Sequence, residues 1–486
     1  MKRLKTFAVV LLLLFATGLF AEKTPIEGLN FFKLDNGLEV FVLENHSLPL
    51  TRIQITFRCG AYTQEPETAG LFHLYEHLLF TANSKYQSEK AVSGAITDLG
   101  VSDSNAITDR EIVTYFFTVP SNKTEDGIAF WSYAIKEPLF KAEELEKEKD
   151  VVLDEIQGYF GDPGRLVGTA MARYLCPKFP WRRDVSGNPA NIKSATPEIM
   201  RKILSTYYIP NNAAIFIAGD VKPAEALDYV KKYFGDWKKG PAIPEQEPQL
   251  KPASKEPIYL VFPDPRFPEG IAEVDVMMRG PDALRNMEYT YAADVWGGLI
   301  EPPTSKYRFN MVDRVPQIYD KTAIGAYYFT QRDGGEIGSW NTVVTGEKPI
   351  AEVALDLQKA FLEETKAIIA DKDYFAPEEY ELVKRQLEDD KIWKLENPVS
   401  FVDSELSFWW AASSAKYYFG YIDNMKKTTK TDIDKFLNDY IVNNVPFVFV
   451  MINPNDYQKE KNQLKKAGFK EVTFENAFWW KDGGRK

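Results

Sequence analysis

The chain has 486 residues, of which 44% are hydrophobic, 27% charged and 14% aromatic. This composition excludes a disordered or fibrous chain, and the length is enough for two or three domains with full cores. The net charge of −11 offers no basic surface to a polyanion, so we expect no nucleic-acid partner. Two cysteines, Cys59 and Cys176, are too few for a disulfide scaffold; one bridge and two free thiols both stay open.

The first 21 residues have the order of a secretory signal peptide. A basic stretch, residues 1–5, precedes an apolar run from Phe7 to Phe15 that is shorter than the ~20 residues of a membrane-spanning helix. Cleavage after Ala21 fits this pattern, with Gly18 as a rival position, and an uncleaved membrane anchor is the alternative. We therefore expect an exported protein, periplasmic or secreted, without a stable membrane span after processing.

Strand and helix patterns follow each other in the first half without a strict βαβ order. Apolar and β-branched runs predict strands at Leu38–Leu43, Ile53–Phe57 and Val113–Val119. Helical spacing predicts helices at Leu71–Phe80, Glu89–Leu99, Gly127–Lys136 and Ala142–Phe160. This order favours an α+β fold, in which a mostly antiparallel sheet is covered by helices.

A stretch rich in Pro, Glu and Lys divides the chain into halves of similar length. Residues 241–256 show no apolar period, which predicts a linker between residues 22–240 and residues 257–486. Each half contains a helical run, the pattern Tyr-Ile-x-Asn-Asn and an apolar strand, with the tyrosine at 208 in one half and 440 in the other. We therefore predict two tandem homologous α/β-sandwich repeats. A chance match is the alternative, because the shared pattern is short.

Two of the three histidines lie close together, in the segment His73-Leu74-Tyr75-Glu76-His77. On an α-helix His73 and His77 are one turn apart and about 40° from each other around the axis, so both imidazoles can reach one metal ion. Glu76 projects beside them. Apolar neighbours make this polar trio costly to bury without a partner, and one Zn²⁺ per chain is the partner that fits. Two satisfied histidines beside a surface glutamate are the structural alternative.

A catalytic zinc site needs three protein ligands and one open position. The chain offers no cysteine motif and no further histidine nearby, so a carboxylate must be the third ligand. Glu148 and Glu155 are seven residues apart in the predicted helix at 142–160, which places both on one face. The spacing alone leaves the choice of ligand open, because most other acids of this segment fit a solvated face.

With these motifs the first half resembles the insulinase/pitrilysin family of inverted zincins, whose signature is His-x-x-Glu-His. The resemblance implies that His73, His77 and Glu155 bind zinc. It also implies that Glu76 activates the zinc-bound water and that Glu148 supports the site as a neighbouring carboxylate. The implied activity is that of a zinc metalloendopeptidase acting on peptides or unfolded segments, without a covalent intermediate.

The same resemblance covers a strand with the sequence Asn-Ala-Ile-Thr that begins at Asn105. In the family this strand lines the cleft and pairs with an extended substrate backbone, which implies substrate binding by Asn105 and Ala106. A plain sheet edge is the alternative. Relatives work as two-half clamshells paired within or between chains, so the resemblance also implies a possible homodimer or a heterodimer with a related subunit.

The second half resembles the metal-free repeat of the family and contains no histidine. Family members place an arginine and a tyrosine there to contact the substrate. The corresponding segment departs from the usual spacing, with Val312 at the expected arginine position, and leaves Arg314 and Tyr319 as candidates for substrate binding. Surface or core roles are the alternative for both. This departure keeps a second function open: a non-catalytic partner subunit that binds zinc and peptide without cutting.

Overall fold

The computed structural model describes residues 22–482, so the predicted signal peptide lies outside the described residues. The strands are β1 (Glu22–Lys23), β2 (Leu29–Lys33), β3 (Glu39–Glu44), β4 (Leu50–Phe57), β5 (Asp103–Thr108), β6 (Val113–Pro120), β7 (Ala213–Gly219), β8 (Ile258–Pro263), β9 (Ile271–Arg279), β10 (Ile324–Phe329), β11 (Glu336–Val344), β12 (Phe447–Ile452) and β13 (Lys470–Glu471). None of the helices in this range combines the length and apolar content that a bilayer crossing requires.

The helices fall into two sets that follow the two halves of the chain. Those of the first half are α1 (Leu71–Leu78), α2 (Glu89–Asp98), α3 (Thr124–Lys136), α4 (Ala142–Phe160), α5 (Pro163–Leu175), α6 (Pro189–Ser194), α7 (Pro197–Tyr207) and α8 (Pro223–Phe234). Those of the second half are α9 (Met287–Ile300), α10 (Lys306–Arg314), α11 (Ile350–Ala370), α12 (Pro377–Trp393), α13 (Pro398–Ser400), α14 (Ser407–Ala412), α15 (Ala415–Lys426), α16 (Lys430–Leu437), α17 (Pro454–Lys466) and α18 (Phe474–Ala477). A π-helical segment, Phe401–Leu406, joins α13 to α14.

Each half contains one mixed, mostly antiparallel sheet. The strand order is β1-β2-β3-β7-β4-β6-β5 in the first sheet and β10-β11-β9-β12-β8-β13 in the second. The order β3-β7-β4-β6-β5 corresponds strand by strand to β8-β12-β9-β11-β10, and both sets pair parallel only at the first step. Because sequence order and pairing direction are the same, the α+β fold with two homologous repeats is confirmed.

The asparagine pairs that suggested the duplication have the same role in both repeats. The Asn212 side chain donates hydrogen bonds to the backbone carbonyls of Arg58, at 3.3 Å, and Tyr207, at 2.8 Å. In the second repeat the Asn444 side chain donates to the carbonyls of Arg279, at 2.8 Å, and Tyr440, at 2.9 Å. Asn212 therefore connects the segment before β7 to the end of β4, and Asn444 connects the segment before β12 to the end of β9.

The predicted elements of the first half agree with the observed ones to within a few residues. Helix α4 has the predicted bounds, whereas α1 ends at Leu78 rather than Phe80. The helix stops there because the N–H groups of Leu79 and Phe80 bond to the carbonyls three residues back, those of Glu76 and His77, in a tightened final turn. Both cysteines are buried and free, which answers the question left open by the sequence.

The segment between α8 and β8 contains no helix or strand, but it is packed rather than loose. Gln246 and Gln249 are buried. The Gln249 N–H lies 3.2 Å from a carboxylate oxygen of Asp333, and its side-chain amide donates to the Phe179 carbonyl at 3.0 Å. The connection therefore contacts both halves along its length.

Helices of each half pack on the sheet of the other half. One face of each sheet packs on helices of its own repeat, whereas the other face is covered by the opposite half. Phe401 and Trp410, from the segment of α13 and α14, pack on Phe41 and Phe216 of the first sheet. In return, α5 packs Val167 and its neighbours on the second sheet. The central strands β7 and β12 are buried on both faces and are therefore apolar along their length.

Candidate metal centre

Helix α1 presents its polar residues on one face because the apolar ones occupy the other. Leu71, Leu74 and Leu78 are buried in the first core, together with the aromatic rings between them. The helix begins after Gly70, whose φ of +93° and close approach to the Ser186 carbonyl leave no room for a side chain. The remaining positions, those of His73, Glu76 and His77, are partly exposed at a cleft. Helical periodicity thus separates the core-facing from the cleft-facing residues.

Helix α4 brings two glutamates to the same cleft. Leu145, Val152 and Ile156 anchor this helix in the core. Glu148 and Glu155, two turns apart, point toward α1. The Glu155 Oε2 atom lies 3.4 Å from Nε2 of His73 and 3.7 Å from Nε2 of His77. The three potential ligand atoms all lie within 4.8 Å of one another.

This donor set fits a zinc ion. Ligands at about 2.0–2.1 Å from a tetrahedral centre lie about 3.3 Å from one another, close to the separations between Glu155 and the two rings. Two imidazole nitrogens and one carboxylate oxygen are also the donor chemistry of catalytic zinc sites, which keep one position open. The Nδ1 atom of His77 lies 3.3 Å from Oε2 of Glu148, a contact that fixes the ring so that Nε2 faces Glu155. Nδ1 of His73 is buried and has no hydrogen-bond partner among residues 22–482.

Glu76 is held beside the donor set by a residue of β5. Its Oε2 atom accepts a hydrogen bond of 2.5 Å from the Thr108 hydroxyl. Burial raises the pKa of Glu76; the Thr108 hydrogen bond and the nearby His77 oppose that rise. A carboxylate whose proton affinity is increased in this way is suited to accept a proton near neutral pH.

The two histidines differ in their electrostatic surroundings. Burial, followed by the neighbouring charge of His77, lowers the pKa of His73 to about 4. Burial also lowers the pKa of His77, but the hydrogen bond with Glu148 and the charges of Glu155 and Glu76 outweigh it, so that this pKa is raised. His73 is therefore a neutral nitrogen donor over most of the pH range.

The cleft around this group has a volume of about 480 Å³ and is open to solvent. Its walls combine α1 and α4 with the start of α2 and the edge strand β5. The lining residues are His73, Glu76, His77, Phe80, Thr81, Glu89, Ser104, Asn105, Ala106, Glu148 and Glu155. Because β5 is the edge strand of its sheet and pairs with β6 alone among residues 22–482, its other edge is open toward the cleft. Asn105 and Ala106 both line the cleft, and their role in substrate binding stays a prediction.

The candidates from the second half do not reach this cleft. Nε of Arg314 donates to Glu364 at 2.8 Å and its Nη1 lies 3.2 Å from Glu363, so that α11 holds this side chain. Tyr319 is 61% exposed. Neither residue lines the cleft, and Val312 packs against the second core. The structure therefore brings together the first-half candidates only.

Thr108 contacts the candidate centre although the sequence motifs did not identify it as a site residue. Thr108 lies two positions after Ala106, and side chains two apart on a strand share a face. A polar residue at this position of a cleft-lining strand could therefore have been expected to contact the site. The sequence could not have shown that Glu76 is the partner of Thr108, because this contact depends on how β5 packs against α1.

Two sequence profiles of known proteins match different parts of the chain. A sequence profile described as "Insulinase (Peptidase family M16)" matches residues 40–171, which include His73, Glu76, His77, Glu148 and Glu155. A second profile, "Peptidase M16 inactive domain", matches residues 194–387. Together the two matches cover more than half of the chain.

Among curated proteins, similarity extends over somewhat less than half of this chain. The probable mitochondrial-processing peptidase subunit beta of Arabidopsis thaliana is 28% identical over 221 residues, which are 46% of this chain and 41% of that protein. The uncharacterized zinc protease YmxG of Bacillus subtilis is 24% identical over 220 residues, 45% of this chain and 53% of its own. The alignments thus span about half the length of these relatives.

Solved structures share the whole architecture. The first half of the periplasmic protease PqqL from Escherichia coli superposes with a TM-score of 0.72 at 17% identity, over 91% of this chain and 95% of that chain. A protease from Helicobacter pylori gives 0.70 at 18% identity, over 87% and 98%. At these identities the likeness establishes the fold.

Proposed function

Because the chain belongs to the insulinase family of peptidases, M16, we propose that it is a zinc-dependent endopeptidase that hydrolyses peptides or unfolded polypeptide segments. The observation that carries this proposal is the convergence of Nε2 of His73, Nε2 of His77 and Oε2 of Glu155 within 4.8 Å. Glu76 lies on the same helix face. These three ligands hold one zinc ion per chain and leave a position for water or substrate.

The bound ion supplies Lewis acidity, which polarises the scissile carbonyl and makes water a stronger acid. Residues of the chain supply proton transfer, ligand orientation and substrate binding. Glu76 accepts the proton of the attacking water and passes it to the leaving amine, and Thr108 keeps the Glu76 carboxylate in place. Glu148 orients the His77 ring. The free edge of β5 at Asn105 and Ala106 holds the substrate backbone as an added strand.

A non-catalytic partner subunit is the second candidate function. It is suggested by residues 194–387, most of them in the second half, which match the profile of an inactive domain, and by Arg314, which is bound to α11. The first half supports catalysis instead, since a subunit that only binds peptide has no need of Glu76 oriented by a hydrogen bond next to a complete donor set.

Export and assembly belong to the same proposal. We place the mature protein in the periplasm or outside the cell, supported by the pattern of residues 1–21 and by the likeness to a periplasmic protease. A homodimer, or a heterodimer with a related subunit, is the proposed assembly.

The substitution Glu76→Gln tests the function. The variant is expected to keep one zinc ion per chain and to lose about 10²–10⁴-fold of its peptide cleavage, the usual contribution of general acid–base catalysis. Glu89→Gln is the matched control, because Glu89 lines the same cleft but is 58% exposed and paired with Lys147. The proposal is wrong if the zinc-loaded protein leaves a diverse peptide library uncut, or if Glu76→Gln cuts as fast as the wild type.

A further inference from the structure

A second cavity lies immediately beyond the metal centre. It has a volume of about 240 Å³, the size of a single side chain rather than of a large ligand. Asp109 and Arg110 line it directly after Thr108, the residue that holds Glu76, and Ile156 lines it directly after Glu155. Helix α5 forms another wall and Trp479 closes one side. An extended peptide that passes the metal centre along β5 therefore runs toward this cavity.

Four arginines line the cavity, Arg110, Arg165, Arg173 and Arg183, and we call it the arginine cavity. Arg110 and Arg183 share a single carboxylate oxygen, Oε1 of Glu336, at 3.5 Å each. This distance is long for a charge-assisted hydrogen bond. The Arg183 side chain is only 4% exposed, and its Nε–H is buried without a hydrogen-bond partner among residues 22–482. A buried guanidinium with an unused donor is costly unless another acceptor reaches it.

The other two arginines differ in how they are held. Arg173 donates hydrogen bonds to the carbonyls of Asn476 and Phe478. Arg165 is exposed at the rim, where its guanidinium stacks over Tyr159 at 4.4 Å from the ring centre. No carboxylate within the described part of the chain forms an ion pair with Arg165. Its donors are therefore available to a ligand.

The lining also contains two acidic residues, Asp109 and Asp184, and Glu336 pairs with both Arg110 and Arg183. The guanidinium without an ion pair among residues 22–482 is that of Arg165. Asp184 is also occupied, since it accepts hydrogen bonds from the Gly187 N–H at 2.9 Å and from the Trp479 indole at 2.8 Å. The charge of Arg183, followed by burial, lowers the pKa of Arg110. The available donors of Arg165 and the unused Nε–H of Arg183 point to an anionic ligand.

We propose that the arginine cavity binds a carboxylate of the substrate peptide, from an acidic side chain or from the C-terminus. The inference rests on the proposed function and names a preference for its substrates. From Ala106 to the end of β5 at Thr108 the chain advances about 7 Å, and Asp109 and Arg110 of the following turn line the cavity. A substrate paired with β5 thus places its carboxylate about three or four residues from the scissile bond. Arginine recognises carboxylates in a bidentate manner, which gives orientation as well as affinity.

Gly168 makes a steric test possible. This residue of α5 lines the arginine cavity, and a Cβ atom added to it meets nothing within 4 Å. Gly168→Leu is therefore expected to fill the cavity without disturbing α5, since leucine is a good helix former. Gly94→Leu is its matched control, because Gly94 is a helical glycine that also has free space around it but lies outside both cavities.

The experiment compares four peptides of one sequence: an internal Glu or Gln three or four residues from the cleavage site, each with a free or amidated C-terminus. Cleavage by the wild type gives kcat/KM for each peptide. Binding to zinc-loaded Glu76→Gln, followed by fluorescence anisotropy, gives a readout that needs no turnover. We expect about a tenfold preference for the favoured carboxylate, typical of a charge-assisted hydrogen bond. Arg165→Gln and Gly168→Leu should each reduce that preference to less than threefold.

The outcomes separate the two proposals. A preference for Glu over Gln identifies a side-chain carboxylate, and a preference for the free terminus identifies the C-terminus. Arg201→Gln, an exposed arginine on α7, and Gly94→Leu should keep the preference. If the wild type cuts all four peptides equally, the inference is wrong while the peptidase proposal stands. If nothing is cut but binding still shows a preference that Arg165→Gln removes, the inference stands and the peptidase proposal fails. If cleavage is absent and binding shows no preference, both are wrong.

Discussion

Trp410 of the second half donates its indole N–H to the Glu39 carboxylate of the first half at 2.6 Å. The Trp410 ring is fully buried, with the Arg58 guanidinium 3.7 Å from its centre and Phe216 packed edge-on against it. One side chain thus combines a hydrogen bond, a cation–π contact and apolar packing across the two halves. The halves share a core here, so each depends on the other for its stability.

Trp410→Ala is therefore expected to destabilise the whole chain. Removing a buried aromatic side chain from a core costs about 3–5 kcal/mol of the free energy of unfolding. Trp393→Ala is the control, because Trp393 is 69% exposed on α12 and its loss should change stability by less than about 0.5 kcal/mol. Chemical denaturation measures both. Equal effects of the two substitutions would contradict the shared core.

Thr108→Val is expected to impair catalysis without affecting zinc binding. The substitution keeps the shape of the side chain but removes the hydroxyl that holds Glu76, so kcat should fall by about tenfold, the worth of one charge-assisted hydrogen bond. KM and the zinc content should not change. Thr108→Ser restores the hydroxyl and should restore kcat, which distinguishes a positioning role from a general loss of stability. If Thr108→Ser is as slow as Thr108→Val, the positioning role of the Thr108 hydroxyl is wrong.

Glu148→Gln is expected to weaken zinc binding, since it removes the negative charge that faces Nδ1 of His77. Loss of such a supporting partner typically costs about 10–100-fold in metal affinity. Competition with a coloured chelator measures this affinity. Glu143→Gln, at an exposed position in the first turn of α4, should bind zinc like the wild type. Unchanged affinity in Glu148→Gln would show that the 3.3 Å contact does not support the ligand.

Glu111 should make stability depend on pH. Its carboxylate accepts the Arg332 N–H at 2.5 Å on one oxygen, while the other oxygen is buried and has no hydrogen-bond partner within residues 22–482. Burial raises its pKa from 4.5 to about 7, against the opposing charge of Arg183. The folded state thus favours the protonated acid, so this contribution to stability is present below pH 4.5 and is lost as the pH rises through about 7.

Glu111→Gln imitates the protonated acid and is expected to remove this dependence. The wild type should lose on the order of 3 kcal/mol relative to the variant between pH 5 and pH 8. Thermal unfolding at the two pH values measures the difference. Glu245→Gln, in the exposed part of the connecting loop, should follow the wild type. Parallel pH profiles of the wild type and Glu111→Gln would mean that Glu111 is ionised when buried.

Local patterns were sufficient for the elements of the first half and for the candidate metal ligands on α1. The helical spacing of the histidines and of their apolar neighbours defines one polar face, whatever the rest of the chain does. The third candidate ligand could not be chosen from local patterns, because several acids of α4 are compatible with the spacing. The packing of α4 against α1 is what brings Glu155 to the two histidines. The second-half candidates failed to reach the cleft for a related reason: Arg314 has closer partners on α11, which no local pattern shows.

The sequence by itself determined where the helices and strands of the first half lie and which helix offers two imidazoles and a carboxylate to a metal, and it predicted a duplicated α+β unit. These properties follow from periodicity and from the chemistry of a few residues within one or two turns. Only the tertiary structure decided that Thr108 holds Glu76, that helices of each half pack on the sheet of the other half, and that four arginines meet beyond β5. Those contacts join residues far apart in the chain, so their geometry depends on how whole elements pack.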